Sequence, residues 1–338
     1  MSKKKVLITG ITGMVGSHLL DLILEKTDWN IFGLTRWRSS LTNIEHQLHQ
    51  LNQGDRLKLI EGDLLDQTSL FKCLEQSNPD IIFHLAAQSF PTASFISPII
   101  TYDVNTLGTS RLLESVRILK LDPLIHVCSS SEVYGRTPKE FLPINESTPF
   151  HPASPYSISK IGTDLIARFY FEAYGLKTLI TRMFTHTGPR RGDVFAESSF
   201  AKQISMIEAE LIPPVLYTGN LQSLRTWADV RDAVNAYFSL VTVNPLPGEV
   251  YNIGGTTVKT VNEVLDFLVK MSTAKDKIII KTDAARIRPI DADLQVPDTT
   301  KFTQHTGWKP NISFEQTMKD LLDFWRKKVS KEPQIANR

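Results

Sequence analysis

Three glycines, Gly10, Gly13 and Gly16, stand between the apolar run Val6-Leu7-Ile8-Thr9 and a helical pattern through Leu19, Leu20, Ile23 and Leu24. No other stretch narrows the possible folds as far. A strand that ends in a glycine turn and feeds a helix builds a pyrophosphate site: the turn is tight, the backbone approaches the anion closely, and the first helical amides face it. The three glycines, with Thr12, Met14 and Val15 among them, are therefore assigned to a bound dinucleotide.

The second strand, Ile31-Phe32-Gly33-Leu34, runs into Thr35-Arg36-Trp37-Arg38-Ser39-Ser40. An NAD site places an acid after this strand to accept the ribose hydroxyls, whereas an arginine pairs with the 2′-phosphate of NADP. Arg36 and Arg38 are present and the acid is not, so NADP is the expected cofactor, with NAD as the alternative. Leu57 to Ile60 leads to Gly62-Asp63-Leu64, setting Asp63 at a strand end that faces the adenine. Ile81 to Gln88 reads as one buried strand. Its small end, Leu85-Ala86-Ala87 followed by Gln88 and Ser89, lets a cofactor lie against the backbone, and His84 inside it reads as a satisfied core residue. A helix opens at Val104 and runs to about Leu119, with Asn105 as a buried polar anchor counted among the cofactor residues. Strands thus alternate with helices, which predicts an α/β fold: a doubly wound parallel sheet of Rossmann type with a smaller C-terminal substrate-binding lobe.

A fifth strand, Leu124 to Cys128, delivers Ser129-Ser130-Ser131-Glu132 to its carboxyl end, the edge on which ligands sit in such sheets. Downstream, Tyr156 and Lys160 have the spacing that puts two side chains on one helix face. Free tyrosine titrates near pH ~10, so bringing it to neutrality takes roughly 4 kcal/mol of selective phenolate stabilisation. An ammonium one helical turn away, together with a positively charged cofactor ring, is a source of that stabilisation. A serine hydroxyl then holds the oxygen with which Tyr156 exchanges a proton. Taken alone, the pair also fits an ordinary exposed helix; the elements before it decide for a reactive site.

At 338 residues the chain has room for two lobes. Residues 1–186 are assigned to the dinucleotide-binding domain, with about 228–256 returning to it through the strand Val250 to Ile253, and 187–338 mainly to the substrate lobe. Lys and Arg number 38 against 36 Asp and Glu, a net charge of +2, so no broad field points to nucleic acid or a membrane surface as partner. Anion binding must be local. Cys73 and Cys128 are the two cysteines, without metal-ligand spacing, which predicts no metal site and a reducing cytoplasm. The basic N-terminus Ser2 to Lys5 precedes an apolar run too short for a signal-peptide core or a membrane span.

Taken in order, the glycines, Asp63 after the third strand, Leu85-Ala86-Ala87, the serine run before Tyr134-Gly135, and Tyr156 with Lys160 resemble the extended short-chain dehydrogenases/reductases. The resemblance covers nearly the whole chain. Within that family it is nearest to enzymes acting on GDP-mannose and its 4-keto-6-deoxy product. Arg36 to Asn43 resembles the basic, serine-rich loop of GDP-mannose 4,6-dehydratases, which in that family contacts the NADP phosphate and a neighbouring subunit. Ala86-Ala87-Gln88-Ser89 and Ser130-Ser131-Glu132 follow their pattern, with Ser130 where threonine is common. The segment His186-Thr187-Gly188-Pro189-Arg190-Arg191-Gly192-Asp193 resembles their HESPRRGE run, although Thr185 replaces the usual asparagine before it. Arg288-Pro289-Ile290-Asp291 matches their RPxE/D element, implied to hold phosphate and ribose of the nucleotide. Phe200 to Ile204, Gly219-Asn220-Leu221 and Arg225 to Asp232 lean instead toward the 4-keto-6-deoxy-mannose reductases.

The resemblance implies a GDP-sugar substrate held by Gln88, Ser130, Ser131, Glu132, Thr185, Arg190, Arg191, Asn220, Arg225, Arg288 and Asp291, with His186 on the cofactor. Arginines supply positive charge at the points a diphosphate needs it. Ser130, Glu132, Tyr156 and Lys160 are the implied catalytic residues. Tyr156, assisted by Ser130 and Lys160, removes the C4 hydroxyl proton as NADP takes the C4 hydride. Glu132 then moves the C5 proton and helps water leave from C6, and the hydride returns to C6. Two alternatives keep the same fold: a GDP-4-keto-6-deoxy-sugar reductase, or a C4 oxidant or epimerase acting on a GDP-hexose or heptose. A cofactor-binding regulator without turnover is the reading from a different class. The resemblance further implies a homodimer through helices of the first lobe, or a homotetramer through the Arg36 to Asn43 loop. Asp229 and Asp232 are expected to open a helix, Trp308 to lie in a core, and the last helix, from Phe314, to fray from Lys327 to Arg338.

Overall fold

The computed structural model describes residues 3–52 and 56–335. Six strands, β1 (Lys5–Thr9), β2 (Asn30–Thr35), β3 (Leu57–Glu61), β4 (Ile81–His84), β5 (Leu124–Cys128) and β6 (Thr178–Met183), join the strand Val250–Ile253 in one seven-stranded sheet. From one edge the order is Val250–Ile253, β6, β5, β4, β1, β2, β3, and every neighbouring pair is parallel. Strand order reverses between β1 and β4, and a ligand crevice opens at the carboxyl ends of the strands at such a point.

Both faces of the sheet are covered, which is why β1, β4 and β6 are buried without alternation. The helices Met14–Lys26 and Val230–Thr242 pack on one face around Leu19, Ile23, Val234 and Tyr237. Gln67–Ser77, Gly108–Ile118 and Pro155–Tyr174 pack on the other around Leu70, Leu112, Val116 and Ala167. The last of these starts where Ser154 accepts from the Ser157 amide and stops at Gly175, whose φ of +71° suits a residue without a Cβ.

The smaller lobe is built on the strand Leu224–Asp229, antiparallel to Thr257–Thr260 and parallel to Leu294–Gln295 and His186–Thr187. A separate parallel pair joins Val215–Thr218 to Ile279–Thr282. Phe200, Leu265, Leu268, Met318, Leu322 and Trp325 fill its core.

Several expectations need correction. β4 ends at His84 rather than continuing to Gln88: the Leu85 amide divides between the Thr9 carbonyl at 3.3 Å and the Thr9 hydroxyl at 3.2 Å, and the Ala86 amide turns to that hydroxyl at 3.1 Å. The helix expected from Val104 begins as a π-helical segment, Asp103–Leu107, before Gly108–Ile118. Asp229 caps Val230–Thr242 as expected, accepting from the Arg231 amide. Asp232 lies in the first turn of that helix, as expected, and also accepts from the Asn311 and Ile312 amides at 3.0 and 2.9 Å, tying down a distant turn. Trp308 is a core residue, but it and Phe302 pack into the core of the first lobe, not the second. The last helix runs from Phe314 through Ile335; residues 336–338 lie outside the described residues.

Candidate active site

A cavity of about 1230 Å³ runs from the glycine loop, over the carboxyl ends of β1, β4 and β5, to the segments around Asn220 and Asp291. Its walls include Gly10, Thr12, Gly13, Met14, Val15, Gly16, Arg36, Asp63 and Leu64, then Leu85 to Ser89, then Ser130, Ser131, Glu132, Tyr156 and Lys160. Thr185, His186, Arg190, Arg191, Asn220, Arg225, Arg288 and Asp291 complete them. Residues nominated from separate stretches along the whole sequence thus face one space.

The cofactor end fits a dinucleotide. Gly10 has φ +75°, and a Cβ there would lie 2.9 Å from the Ala86 backbone; one on Gly16 would lie 2.2 Å from the Gly10 carbonyl oxygen. The helix Met14–Lys26 starts at Gly13 with no side-chain cap and no acid in its first turn, so its amides are left for an anion. Arg36 faces the cavity. Arg38 does not: its guanidinium lies 5.1 Å from the Trp37 ring centroid, outside the lining. Asn105 is also off the wall. It is 2% exposed, its amide donates to Gln88 O and Ser159 Oγ, and its carbonyl accepts from the Gln88 amide. It anchors the loop that carries Gln88 and has no group left for a ligand. The Gln88 side chain is likewise committed, to Phe90 and Thr101.

At the reactive centre, Ser130 caps a short 3-10 turn by accepting from the Glu132 amide, which points residues 130 to 132 at Tyr156. Burial pushes the Tyr156 phenol above its ordinary range, while its hydrogen bond with Ser130 and the charge of Arg191 act downward. The expectation that Lys160 directly supplies this downward pull is not met. Its ammonium donates to the Cys128 carbonyl at 2.7 Å, and burial lowers its own pKa. The desolvation cost of a phenolate in a dry pocket outweighs the charges facing it. His186 is pushed down to about 4, first by burial and then by Arg191. His84 is the core residue expected, bonded to Thr9 and Thr109 at 2.9 and 3.0 Å.

Four arginines along the cavity each already have a carboxylate. Arg190 pairs with Asp21 at 2.7 Å and Arg191 with Glu197 at 3.2 Å, its guanidinium 3.4 Å from the centroid of the Phe195 ring. Arg225 lies between Glu132 and Asp291, 3.3 Å from each, and Arg288 is 3.2 Å from Asp291. Sequence reasoning missed Glu197, Ser223 and Arg286, which also line the space. One signal was available for the last: a Cβ on Gly219 would meet the Arg286 carbonyl at 2.5 Å, so that glycine marks where the two segments touch. Among the described residues no three His, Cys, Asp or Glu side chains cluster as metal ligands, and no helix is long and apolar enough to cross a membrane.

A parallel sheet with a glycine cradle at its switch point, and a buried Ser, Tyr and Lys beside that cradle, define an extended short-chain dehydrogenase/reductase. The family model described as GDP-mannose 4,6 dehydratase matches residues 7–321. The chain belongs to that family. It is 35% identical to GDP-mannose 4,6 dehydratase 1 of Arabidopsis thaliana, covering 95% of this chain and 89% of that protein. It is 32% identical to GDP-mannose 4,6-dehydratase of Yersinia enterocolitica, over 94% and 93%. Among solved structures, RMD from Pseudomonas aeruginosa, complexed with NADPH, superposes with a TM-score of 0.80 at 27% identity, covering 96% of this chain and 100% of that one.

Proposed function

We propose that this protein is an NADP-dependent GDP-mannose 4,6-dehydratase. The observation that carries the reading is Glu132: a carboxylate stands in the same cavity as Ser130, Tyr156 and Lys160, between the cofactor cradle and the arginines of the far end. Oxidation at C4 needs one acid/base, and elimination across C5 and C6 needs a second.

Tyr156 takes the C4 hydroxyl proton, with Ser130 holding that oxygen. Once C4 is a ketone, the C5 proton is acidic and Glu132 removes it. The C6–O bond breaks as the C5–C6 double bond forms, and Glu132 returns its proton to the departing hydroxide as water. The glycine cradle would hold NADP, with Arg36 available to its 2′-phosphate, and the bound cofactor would store the hydride between C4 and C6, a solvent-derived proton completing C5 as the hydride returns. Lys160 orients the cofactor side of the site, and Arg225 and Arg288 take the diphosphate.

Incubation with GDP-mannose and catalytic NADP tests this. A 4-keto-6-deoxy product with no net cofactor change is expected. NADPH consumed in stoichiometric amount, and only when the keto sugar is supplied, sinks the proposal in favour of a reductase. Tyr156→Phe should keep NADP binding and lose turnover; retained turnover would remove Tyr156 from its role.

We further infer a homodimer. Ile99, Leu107 and Ile118 are 75%, 50% and 49% exposed, and Ile158, Leu165 and Phe169 on the neighbouring helix Pro155–Tyr174 are 49%, 50% and 53% exposed. An apolar face of this extent on two adjacent helices suits a second copy of the chain. Leu165→Glu should yield a monomer by light scattering; an unchanged mass refutes that interface. The free thiols of Cys73 and Cys128 suit the cytoplasm.

A further inference from the structure

Arg225 holds two carboxylates that come from different lobes. Its Nη1 donates to Glu132 Oε1 and its Nη2 to Asp291 Oδ1, both at 3.3 Å. Contacts between a guanidinium and a carboxylate usually close to about 2.7–2.9 Å, so both are loose. Among the described residues, Arg225 is the one cation paired with Glu132. Asp291 is held differently. Its Oδ1 also accepts from Arg288 Nη1 at 3.2 Å and from the Ala292 amide at 3.0 Å. Its Oδ2 accepts from Ser223 Oγ at 3.3 Å and Asn220 Nδ2 at 3.5 Å. Both oxygens of Asp291 thus meet protein donors, Oδ1 closely and Oδ2 at longer range.

We infer that Arg225 is an exchange point. In the free protein it holds Glu132 back, and the substrate's diphosphate takes its place on the guanidinium and releases Glu132 to the sugar. This rests on the dehydratase reading and deepens it. Asp291 is the positioning residue of the exchange: it fixes Arg225 and Arg288 on one side so that the diphosphate draws Arg225 off Glu132. A looser Arg225 would follow Glu132 instead. Two phosphates offer more negative charge than one carboxylate, and Arg288 is already beside Arg225 to share it. The base is therefore released only when the nucleotide end of the substrate is seated, which couples recognition at one end of the cavity to proton transfer at the other.

Two measurements test this on the full chain with NADP. The first is a structure with GDP alone: Arg225 should contact a phosphate oxygen and Glu132 Oε1 should have left it. GDP seated at Arg288 with Arg225 still on Glu132 overturns the exchange. The second uses Asp291→Asn with GDP-mannose in deuterated water. Transient cofactor reduction, which reports C4 oxidation, should persist, while deuterium entry at C5 and kcat fall about tenfold or more with KM little changed; Asp291→Glu should recover part of the loss. A rise in KM with kcat unchanged makes Asp291 a plain binding residue and refutes its positioning role. If the unaltered protein shows no cofactor reduction with GDP-mannose, the dehydratase reading itself has failed, and that outcome is distinct from both.

Discussion

Changing Arg182 to Met tests whether the catalytic elements are held together by one buried guanidinium. Arg182 and Asp164 side chains are 1% and 0% exposed, and they meet in two hydrogen bonds, Nε to Oδ2 at 2.8 Å and Nη2 to Oδ1 at 3.0 Å. Arg182 Nη1 donates to the Tyr134 hydroxyl at 2.8 Å and to the Glu146 carbonyl at 2.9 Å, and Tyr134 donates to Asn252. The group thus joins β6, the loop after Glu132, the seventh strand, and the helix carrying Tyr156 and Lys160. In the variant, Asp164 stays in the dry interior. Its other cation, Arg168, has Nε 3.0 Å away but not aligned for a hydrogen bond, and its side chain is one-third exposed. Removing one partner of a buried pair costs about 3–5 kcal/mol. The Glu146 carbonyl also loses a donor, worth about 1 kcal/mol, while Tyr134 keeps its bond to Asn252. Against a total stability of about 5–15 kcal/mol, the variant should unfold at much lower urea. The double variant with Asp164→Leu removes both charges and should recover a good part of the loss, giving a large coupling in the cycle. A loss under about 1 kcal/mol for Arg182→Met, or a double variant no better than the single one, would refute the argument.

Gly16→Ala places a Cβ 2.2 Å from the Gly10 carbonyl oxygen and must push the helix start off the loop; NADP affinity by calorimetry should drop at least about tenfold, or 1.4 kcal/mol, and an unchanged affinity sinks the cradle. Arg36→Ala should weaken NADP binding while leaving NAD binding alone, whereas Arg38→Ala, off the cavity wall, should change neither by more than about threefold; equal losses would put both arginines on the phosphate. Burial first, and nearby charge second, hold His84 and His126 down to about 3, against about 6.5 in the unfolded chain. Between those values the unfolded chain binds protons that the folded one refuses, so stability falls as pH drops from about 6.5 toward 3 and levels off below. His126→Leu should flatten that slope in unfolding curves taken across the window, and an unaltered slope assigns the acid sensitivity elsewhere.

What the sequence disclosed was whatever is encoded locally. The glycine loop, the serine run and the Tyr156–Lys160 pair are each set by backbone geometry within a few residues, and the cavity gathers them as expected. What stayed hidden depends on contacts between distant segments. Asn105 and Gln88 look like ligand residues until their partners are seen to be each other's neighbourhood: Asn105 fixes the Gln88 backbone, and Gln88 fixes Phe90. Lys160 has the right spacing for Tyr156, but the nearest acceptor for its ammonium is a β5 carbonyl, and only the packed strand places it there. Glu197 gives no signal in its own stretch, because its meaning comes from Arg191, which the turn after Gly188 brings beside it.

The pairing of Arg190, Arg191, Arg225 and Arg288 in the cavity also explains how a chain of net charge +2 can accept a strongly anionic substrate. A buried guanidinium without a counter-charge is unfavourable, so a site that waited for its ligand with bare cations would destabilise the fold. Here Asp21, Glu197, Glu132 and Asp291 neutralise Arg190, Arg191, Arg225 and Arg288 beforehand. Binding a diphosphate is then an exchange of partners rather than the filling of a field, and its free energy depends on what the displaced carboxylate does next. A displaced Asp291 would be left with a cluster of donors it cannot leave. In the proposed reaction a displaced Glu132 is released to the sugar, where a free carboxylate is what elimination requires. That difference between two carboxylates on one guanidinium is the physical basis on which this site can tie substrate recognition to chemistry.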